Sequence, residues 1–347
     1  MKTLSVIIPV YNCRDCLEDC IASVTAVNVF GGTMAIHEII LVDDGSTDGS
    51  SELCDQLALK RSYKDCVVRV LHQRNKGVSA ARNVGLCAAT GTYILFVDSD
   101  DIIDSQKMFK LIQVVAQDSS IDIAICGMSF DYYSGKRLYR QEHMLPPFAG
   151  KRSAEETATL LYDLFMRDVI SSLCNKIIRK NVIDENDTLL REDMFLYEDL
   201  EFSLRVIAQC KNIFFCQEPI YHYRQAPDEG NAGRRLKRIE HIPNIVDKIE
   251  EALIPFGGND QILLSLYLVL AREKISCSTR DEVKTVCDDF RTWIDTHNYF
   301  RMIQKREYAM LVYRGQSTKL LYRREKTRIR HSLANWVKQK VGDFRKW

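Results

Sequence analysis

Three times within its first 101 residues this chain runs through an apolar, β-branched stretch and breaks off into a polar cluster. Leu4–Val10 ends in Tyr11-Asn12, Ile36–Val42 ends in Asp43-Asp44-Gly45-Ser46, and Tyr93–Val97 ends in Asp98-Ser99-Asp100-Asp101. Runs rich in Val, Ile, Phe and Tyr favour buried strands. Between them the spacing turns helical: Leu17, Ile21 and Val24 share a face, Thr47-Asp48 can cap a helix over Ser50–Leu59, and Val78–Ala89 is rich in alanine. Val67–Leu71 and Ile121–Cys126 read as further strands, and Met108–Val115 as a further helix. Strands alternating with helices imply parallel pairing in a doubly wound α/β sheet. Such sheets bind ligands beyond the carboxyl ends of their strands, which is where all three polar clusters fall.

The clusters differ in chemistry. Asp98, Asp100 and Asp101 repel one another unless something positive lies among them, and Mg²⁺ or Mn²⁺ takes oxygen ligands from one or two carboxylates together with substrate phosphates. Gly45 permits a tight turn, and Asp43 or Asp44 can accept a hydrogen bond from a nucleobase imide or a ribose hydroxyl, or simply cap the following helix. Asn75–Asn83 brings Lys76 and Arg82 to a helix start. Either cation can meet a pyrophosphate, and Arg82 can equally pair with an aspartate, since both tasks use the same guanidinium geometry.

After Cys126 the alternation weakens. Phe130–Gln141 reads as a hairpin around Ser134-Gly135, Ala154–Met166 and Glu198–Gln209 as helices, and Ile213–Cys216 and Ile220–Tyr223 as short strands. The polar stretch from Pro227 to Gly233 suggests a boundary, giving domains 1–226 and 227–347, the second mostly helical. The 46% hydrophobic content of the 347 residues supports a real core. Net charge is +1, but Ser317–Trp347 carries ten Lys or Arg against Glu325 and Asp343. There Leu333, Trp336, Val337 and Val341 recur at helical spacing, a basic amphipathic pattern expected to meet an anionic membrane surface. Twelve cysteines with no leader pattern point to a reducing cytosol, and no apolar stretch is long enough to span a bilayer. The expected location is therefore cytoplasmic, peripheral on the inner face of the membrane. Cys13, Cys16 and Cys20 lack a second ligand pair at zinc spacing and fall on a helix start.

Ser5–Asn12, Leu41–Asp48, Asn75–Asn83 and Phe96–Asp101 together resemble family 2 glycosyltransferases of the GT-A fold, in that family's order. The resemblance continues more weakly to Arg224. It implies a mainly parallel central sheet flanked by helices, a nucleotide-diphosphate-sugar donor, most often a UDP-sugar, and a divalent cation, Mn²⁺ or Mg²⁺. By that similarity Pro9, Tyr11, Asn12 and one of Asp43 or Asp44 contact base and ribose, with Lys76, Arg82, Asp98 and Ser99 also on the donor. Asp98-Ser99-Asp100 matches the Asp-x-Asp motif, with Asp100 the leading metal ligand and Asp98 near the donor or reaching the metal through water. Leu196–Phe202 looks like the Glu-Asp motif before a helix, making Asp199 the first candidate base and Glu198 the second. Ser172–Ile177 resembles an acceptor-side segment, with Cys174 where relatives often have Trp. Ile220–Arg224 resembles a strand whose His222 or Arg224 can help hold the pyrophosphate.

The expected activity is inverting hexosyl transfer to a glycan or lipid-linked saccharide in cell-surface polysaccharide synthesis. The alternative is a non-catalytic sugar-nucleotide or glycan-binding subunit of a synthase complex. A dinucleotide-binding dehydrogenase is excluded because Pro9-Val10-Tyr11-Asn12 stands where its Gly-x-Gly-x-x-Gly turn belongs. A nucleotidyltransferase lacks its Gly-rich basic loop at the same place. No nucleic-acid reading motif is present.

Overall fold

The computed structural model describes residues 2–59, 66–135, 137–225, 242–277 and 292–293. In chain order the first unit contains β1 (Thr3–Val10), α1 (Arg14–Thr25), β2 (Ala35–Asp43), α2 (Ser50–Leu59), β3 (Val67–His72), α3 (Val78–Ala88) and β4 (Tyr93–Phe96). It continues with β5 (Ile102–Ile103), α4 (Ser105–Gln117), β6 (Ile123–Ser134), β7 (Arg137–Met144) and β8 (Gly150–Ser153). Then come α5 (Ala154–Thr159), α6 (Leu161–Met166), β9 (Lys176–Arg179), α7 (Lys180–Asp184), α8 (Glu198–Gln209) and β10 (Asn212–Gln225). The sheet runs β3-β2-β1-β4-β9-β6-β10-β5, with β7 beside β6 and β8 beside β10.

The order decides where a site can form. β3, β2, β1 and β4 run parallel to one another. β9 is antiparallel to both β4 and β6, and β10 is parallel to β6. Six of the eight strands in that row therefore point the same way and end on one rim, while β9 starts there. β1 is buried from Leu4 to Val10, as a strand covered on both faces requires. Each such Leu, Ile or Val contributes roughly 1.5–3 kcal/mol by leaving water. Helix α3 lies close on β1: a Cβ placed on Gly85 would come within 2.4 Å of Ile7 Cγ2. On α4, Asp104 caps the Lys107 N–H at 3.0 Å while Met108, Leu111, Ile112 and Val115 turn inward.

Most expected elements form, with three differences. The helix expected over 154–166 divides at Leu160, whose φ of −104° and ψ of 1° leave the helical region. The two short strands expected at 213–216 and 220–223 are one strand, β10, with register shifts on either side of Pro219. A proline has no N–H for the ladder, so irregularity belongs there. The short strands β5, β8 and β9 are too brief to have stood out. The hairpin forms as expected, with Gly135 at a φ of +60° in its turn.

The described part of the second unit includes most of α9 (Ile242–Leu253) and all of α10 (Asp260–Cys277). Within it, Tyr267 stacks on Trp293 with ring centroids 4.5 Å apart. Among the described residues no helix is long and apolar enough to cross a membrane. The expected boundary at 226–227 and the basic segment Ser317–Trp347 lie outside the described residues.

Candidate active site

Two acidic turns meet at the rim. In the turn after β2, Asp44 is buried and accepts from Gln73 Nε2 at 2.7 Å, the Lys76 amide at 2.8 Å and the Gly77 amide at 2.9 Å. Asp43 accepts from the Ser46 amide at 3.0 Å and lies 3.0 Å from His72 Nδ1. Burial alone would raise the Asp43 pKa, but the bonds from Ser46 and His72 hold it below the usual carboxylate value. Gly45, at a φ of +73°, sits so near the next segment that a Cβ would fall 2.9 Å from the Asn75 amide nitrogen. Asn12, at a φ of +50°, accepts from the Thr47 amide at 2.8 Å and donates its own N–H to Ser46 Oγ at 3.1 Å. Pro9 is buried within β1, while Tyr11 beyond it is 51% exposed. The side chain of Lys76 lies at the surface.

The turn after β4 is held differently. Arg82, 4% exposed on α3, donates through Nη2 to Asp98 Oδ1 at 2.8 Å and through Nη1 to Asp199 Oδ1 at 2.7 Å. Of the two roles open to Arg82 in the sequence, pairing with aspartate is the one this structure realises. Its Nε is buried without a hydrogen-bond partner among the described residues. Asp98 also faces Cys174 Sγ at 3.4 Å through Oδ2, and its amide donates to Tyr221 Oη at 3.2 Å. Asp101 is fully buried, accepting from Tyr221 Oη at 2.5 Å and from the Arg224 amide at 2.8 Å. Burial, reinforced by Asp98 and Asp100, pushes its pKa up to about 8. Ser99 is buried, and Asp100 is exposed. Among the described residues none donates a side-chain hydrogen bond to Asp100, although burial of its surroundings and neighbouring Asp98 raise its pKa.

Glu198 and Asp199 open α8 directly after Tyr197, which sits in the left-handed region at a φ of 61°. That conformation costs a non-glycine residue about 1–2 kcal/mol and turns the chain into the helix. Acidic groups in a first helical turn face its positive dipole end. Burial raises the pKa of Asp199, with Arg82 opposing the rise and Asp98 adding to it. Burial and Asp199 bring Glu198 up to about 7.

The donor set can be tested against a divalent cation. Among the described residues, no group of three or more His, Cys, Asp or Glu side chains is arranged to hold a metal alone. A cation shared with phosphates needs only one or two protein carboxylates. Asp100 is accessible and unengaged, whereas Asp98 is committed to Arg82 and Cys174, and Asp101 is sealed beneath Tyr221. The residues thus fit a cation bound jointly with a phosphate ligand, Asp100 foremost.

The structure also brings in residues that carried no site role in the sequence: Tyr221, whose phenol ties β10 to the acidic turn, and Asp131, which holds His222 Nδ1 at 2.9 Å. Arg224, read as a phosphate candidate, instead spans this turn, with Nε on the Asp100 carbonyl at 2.5 Å and Nη1 3.3 Å from Asp19. Its remaining Nη2 is buried without a hydrogen-bond partner among the described residues.

Known proteins give the same picture of the fold. S. aureus TarS (residues 1–349, in complex with UDP-GlcNAc) superposes over 90% of this chain and 79% of its own, with a TM-score of 0.56 and 18% identity. The glycosyltransferase EpsJ of Bacillus subtilis is 32% identical over 65% of this chain and 62% of its own length. The cholesterol galactosyltransferase of Borreliella burgdorferi is 31% identical over 63% of this chain and 59% of its own. The chain thus spans about three fifths of these relatives. The model of glycosyl transferase family 2 matches residues 5–186, more than half of the chain. The fold is the GT-A fold, and the chain belongs to glycosyl transferase family 2.

Proposed function

We propose that this chain is a metal-dependent, inverting glycosyltransferase that moves a sugar from a nucleotide-diphosphate donor, a UDP-hexose first, to a hydroxyl of a glycan or lipid-linked saccharide. The observation that carries the reading is the Asp98–Arg82–Asp199 bridge, with Asp100 left accessible beside it. One buried cation holds a donor-side carboxylate and an acceptor-side carboxylate at a common distance.

In this reading Tyr11, exposed beyond β1, lies against the base, and the Asp43–Ser46 turn with Asn12 forms the wall beside it. Asp100, with Asp98 nearby, holds the cation, which when bound offsets the charge of the departing diphosphate. Asp199 accepts the acceptor's hydroxyl proton as that oxygen bonds to the anomeric carbon. The bond from that carbon to the phosphate oxygen breaks, and the nucleoside diphosphate leaves with the electron pair. Burial raises the basicity of Asp199, and the guanidinium 2.7 Å away favours its ionised form. Glu198 is the second candidate for the same task.

The setting is cell-surface polymer synthesis. A relative named minor teichoic acid biosynthesis protein GgaB is 30% identical over 80% of this chain, although over only 30% of its own length. The basic segment Ser317–Trp347 would hold the enzyme at the inner face of the membrane.

The test is UDP release by the purified chain with Mn²⁺ and UDP-glucose, UDP-galactose or UDP-N-acetylglucosamine. Slow hydrolysis of one donor is expected, and Asp100→Ala should abolish both that turnover and the Mn²⁺ dependence of UDP binding. Metal-dependent UDP binding without turnover, even with acceptor glycans supplied, would instead support the non-catalytic binding subunit.

A further inference from the structure

Lys176, the first residue of β9, is fully buried. Its Nζ donates to Asn175 Oδ1 at 2.9 Å, to the carbonyls of Val169 and Ile170 at 3.3 Å each, and to the carbonyl of Ser172. An ammonium has three protons, so four acceptors share them, and all four are uncharged. Beside it, buried Asn175 donates to the carbonyls of Cys126 and Val169, each at 3.0 Å. The two side chains gather the 169–172 backbone inward. Among the described residues no carboxylate touches this buried cation, which makes it a costly way to tie a turn, and a methionine would fill a similar volume. The cost calls for a reason.

The gathered segment reaches the reaction carboxylates. The Leu173 N–H lies on the side of the Asp199 carboxylate and helps to hold down its pKa, and Cys174 Sγ lies 3.4 Å from Asp98 Oδ2. These are the two acids that Arg82 bridges from the other side. The register puts Ile177 opposite Leu95, so β9 starts where β4 ends and the segment enters at the rim.

We propose that Lys176 is a positioning residue for the transfer step: its ammonium fixes the 169–174 segment in the shape that presents the Leu173 N–H to Asp199 and the Cys174 thiol to Asp98. This rests on the reading of Asp199 as the proton acceptor. The charge acts in the same direction as the geometry. Facing Asp199 are Arg82 from α3, Asp98 from the turn after β4, Lys176 from β9, the Leu173 N–H, and Glu198 on its own helix. Facing Lys176 are Asp199, Cys126 on β6, and Cys174 and Asp168 from the entering segment. Burial draws the Lys176 pKa down to about 8, with Asp199 the foremost group opposing the fall. In its charged form the lysine favours an ionised Asp199.

The experiment compares wild type, Lys176→Met, Lys176→Arg, Asp199→Asn and the Lys176→Met/Asp199→Asn double variant, all in the full chain. It uses whichever of the three UDP-sugars wild type hydrolyses fastest. Lys176→Met should lower kcat by about 10–100-fold while donor KM and UDP affinity stay within about twofold, the pattern of lost alignment. Lys176→Arg should recover part of the rate. In the Asp199→Asn background the methionine should cost nothing further, because residues acting through one another are not additive. Amide hydrogen exchange across 169–175 should rise in Lys176→Met and not in Asp199→Asn. Multiplying losses in the double variant, a loss of UDP affinity equal to that of kcat, or unchanged exchange would each overturn the proposal. If Asp199→Asn alone turns over like wild type, the proton-acceptor reading falls, and the proposal with it. Should Lys176→Met not fold, Asn175→Ala, which removes the second tie to the Val169 carbonyl and the Asn175 Oδ1 acceptor of Lys176, replaces it with the same expected and overturning results.

Discussion

After β2 the chain buries Asp43 and Asp44; after β4 it buries Asp101 and leaves Asp98 partly exposed. The letters are nearly the same, and the ways their charge is met are opposite. Asp44 is surrounded by backbone N–H groups and an amide side chain, dipoles that fix a turn without adding charge. Asp98 is met by a buried guanidinium that is shared with Asp199, a residue 117 positions from Arg82 in the chain. A carboxylate satisfied by dipoles is a shape device. Carboxylates that share one cation form an electrostatic balance, and Asp100 and Glu198 stand beside that balance with no comparable partner among the described residues. In the proposed function the first turn recognises and the second turn reacts.

Four substitutions would break or sharpen this contrast. The largest effect is expected from Asp199→Asn, which keeps shape and removes the proton acceptor. Transfer should fall by roughly 10²–10⁴-fold, the range for a lost general base, while UDP affinity in Mn²⁺ is retained. Wild-type turnover would move the role to Glu198.

Arg82→Met comes next. It leaves Asp98 and Asp199 without their shared cation, and uncompensated buried charge costs about 3–5 kcal/mol. Because these carboxylates are 29% and 23% exposed, solvent should reduce the loss to about 2–3 kcal/mol in denaturant unfolding. A loss below about 1 kcal/mol would mean that the bridge is no stronger than a surface pair.

Asp44→Asn should cost less, about 1–2 kcal/mol, since one acceptor oxygen becomes an NH₂ group facing N–H donors. Activity loss here should track weakened UDP binding rather than kcat. A kcat loss with UDP affinity intact would erase the distinction between a recognising and a reacting turn.

How far each turn was readable follows from the same contrast. The strands ending in Tyr11-Asn12, Asp43–Ser46 and Asp98–Asp101 were legible because their signal is local: a β-rich run followed by polar residues. The hairpin at Gly135 and helix α8 were legible for the same reason. The partners of Asp98 and Asp101 were not, because Tyr221 lies 120 residues from Asp101 and Cys174 lies 76 from Asp98. Nothing in the four residues of β9 announces a strand, nor that its lysine faces inward. Arg82 was ambiguous in the sequence because an ion-pair partner and a phosphate clamp need the same side chain.

The smallest effect tests whether the first turn is free of cations at every pH. His72 Nδ1 lies 3.0 Å from Asp43 and Nε2 3.1 Å from Asp55, and the bond to Asp43 is the main cause raising the His72 pKa above 6.5. The sign follows from linkage. A group that binds its proton more tightly when folded adds stability that is fully present below its unfolded pKa and is lost as pH rises through its folded one. The Tm of wild type should therefore fall from about pH 6 to pH 8 relative to His72→Gln. With the His72 ring 43% exposed, the difference should be the smallest of the four. Identical slopes in the two proteins would mean that His72 stays neutral, leaving the first turn to dipoles alone. A wild-type slope steeper than that of the variant would mean that the first turn gains a cation on acidification, so that the two turns differ most at alkaline pH, where only the second keeps its cation, Arg82.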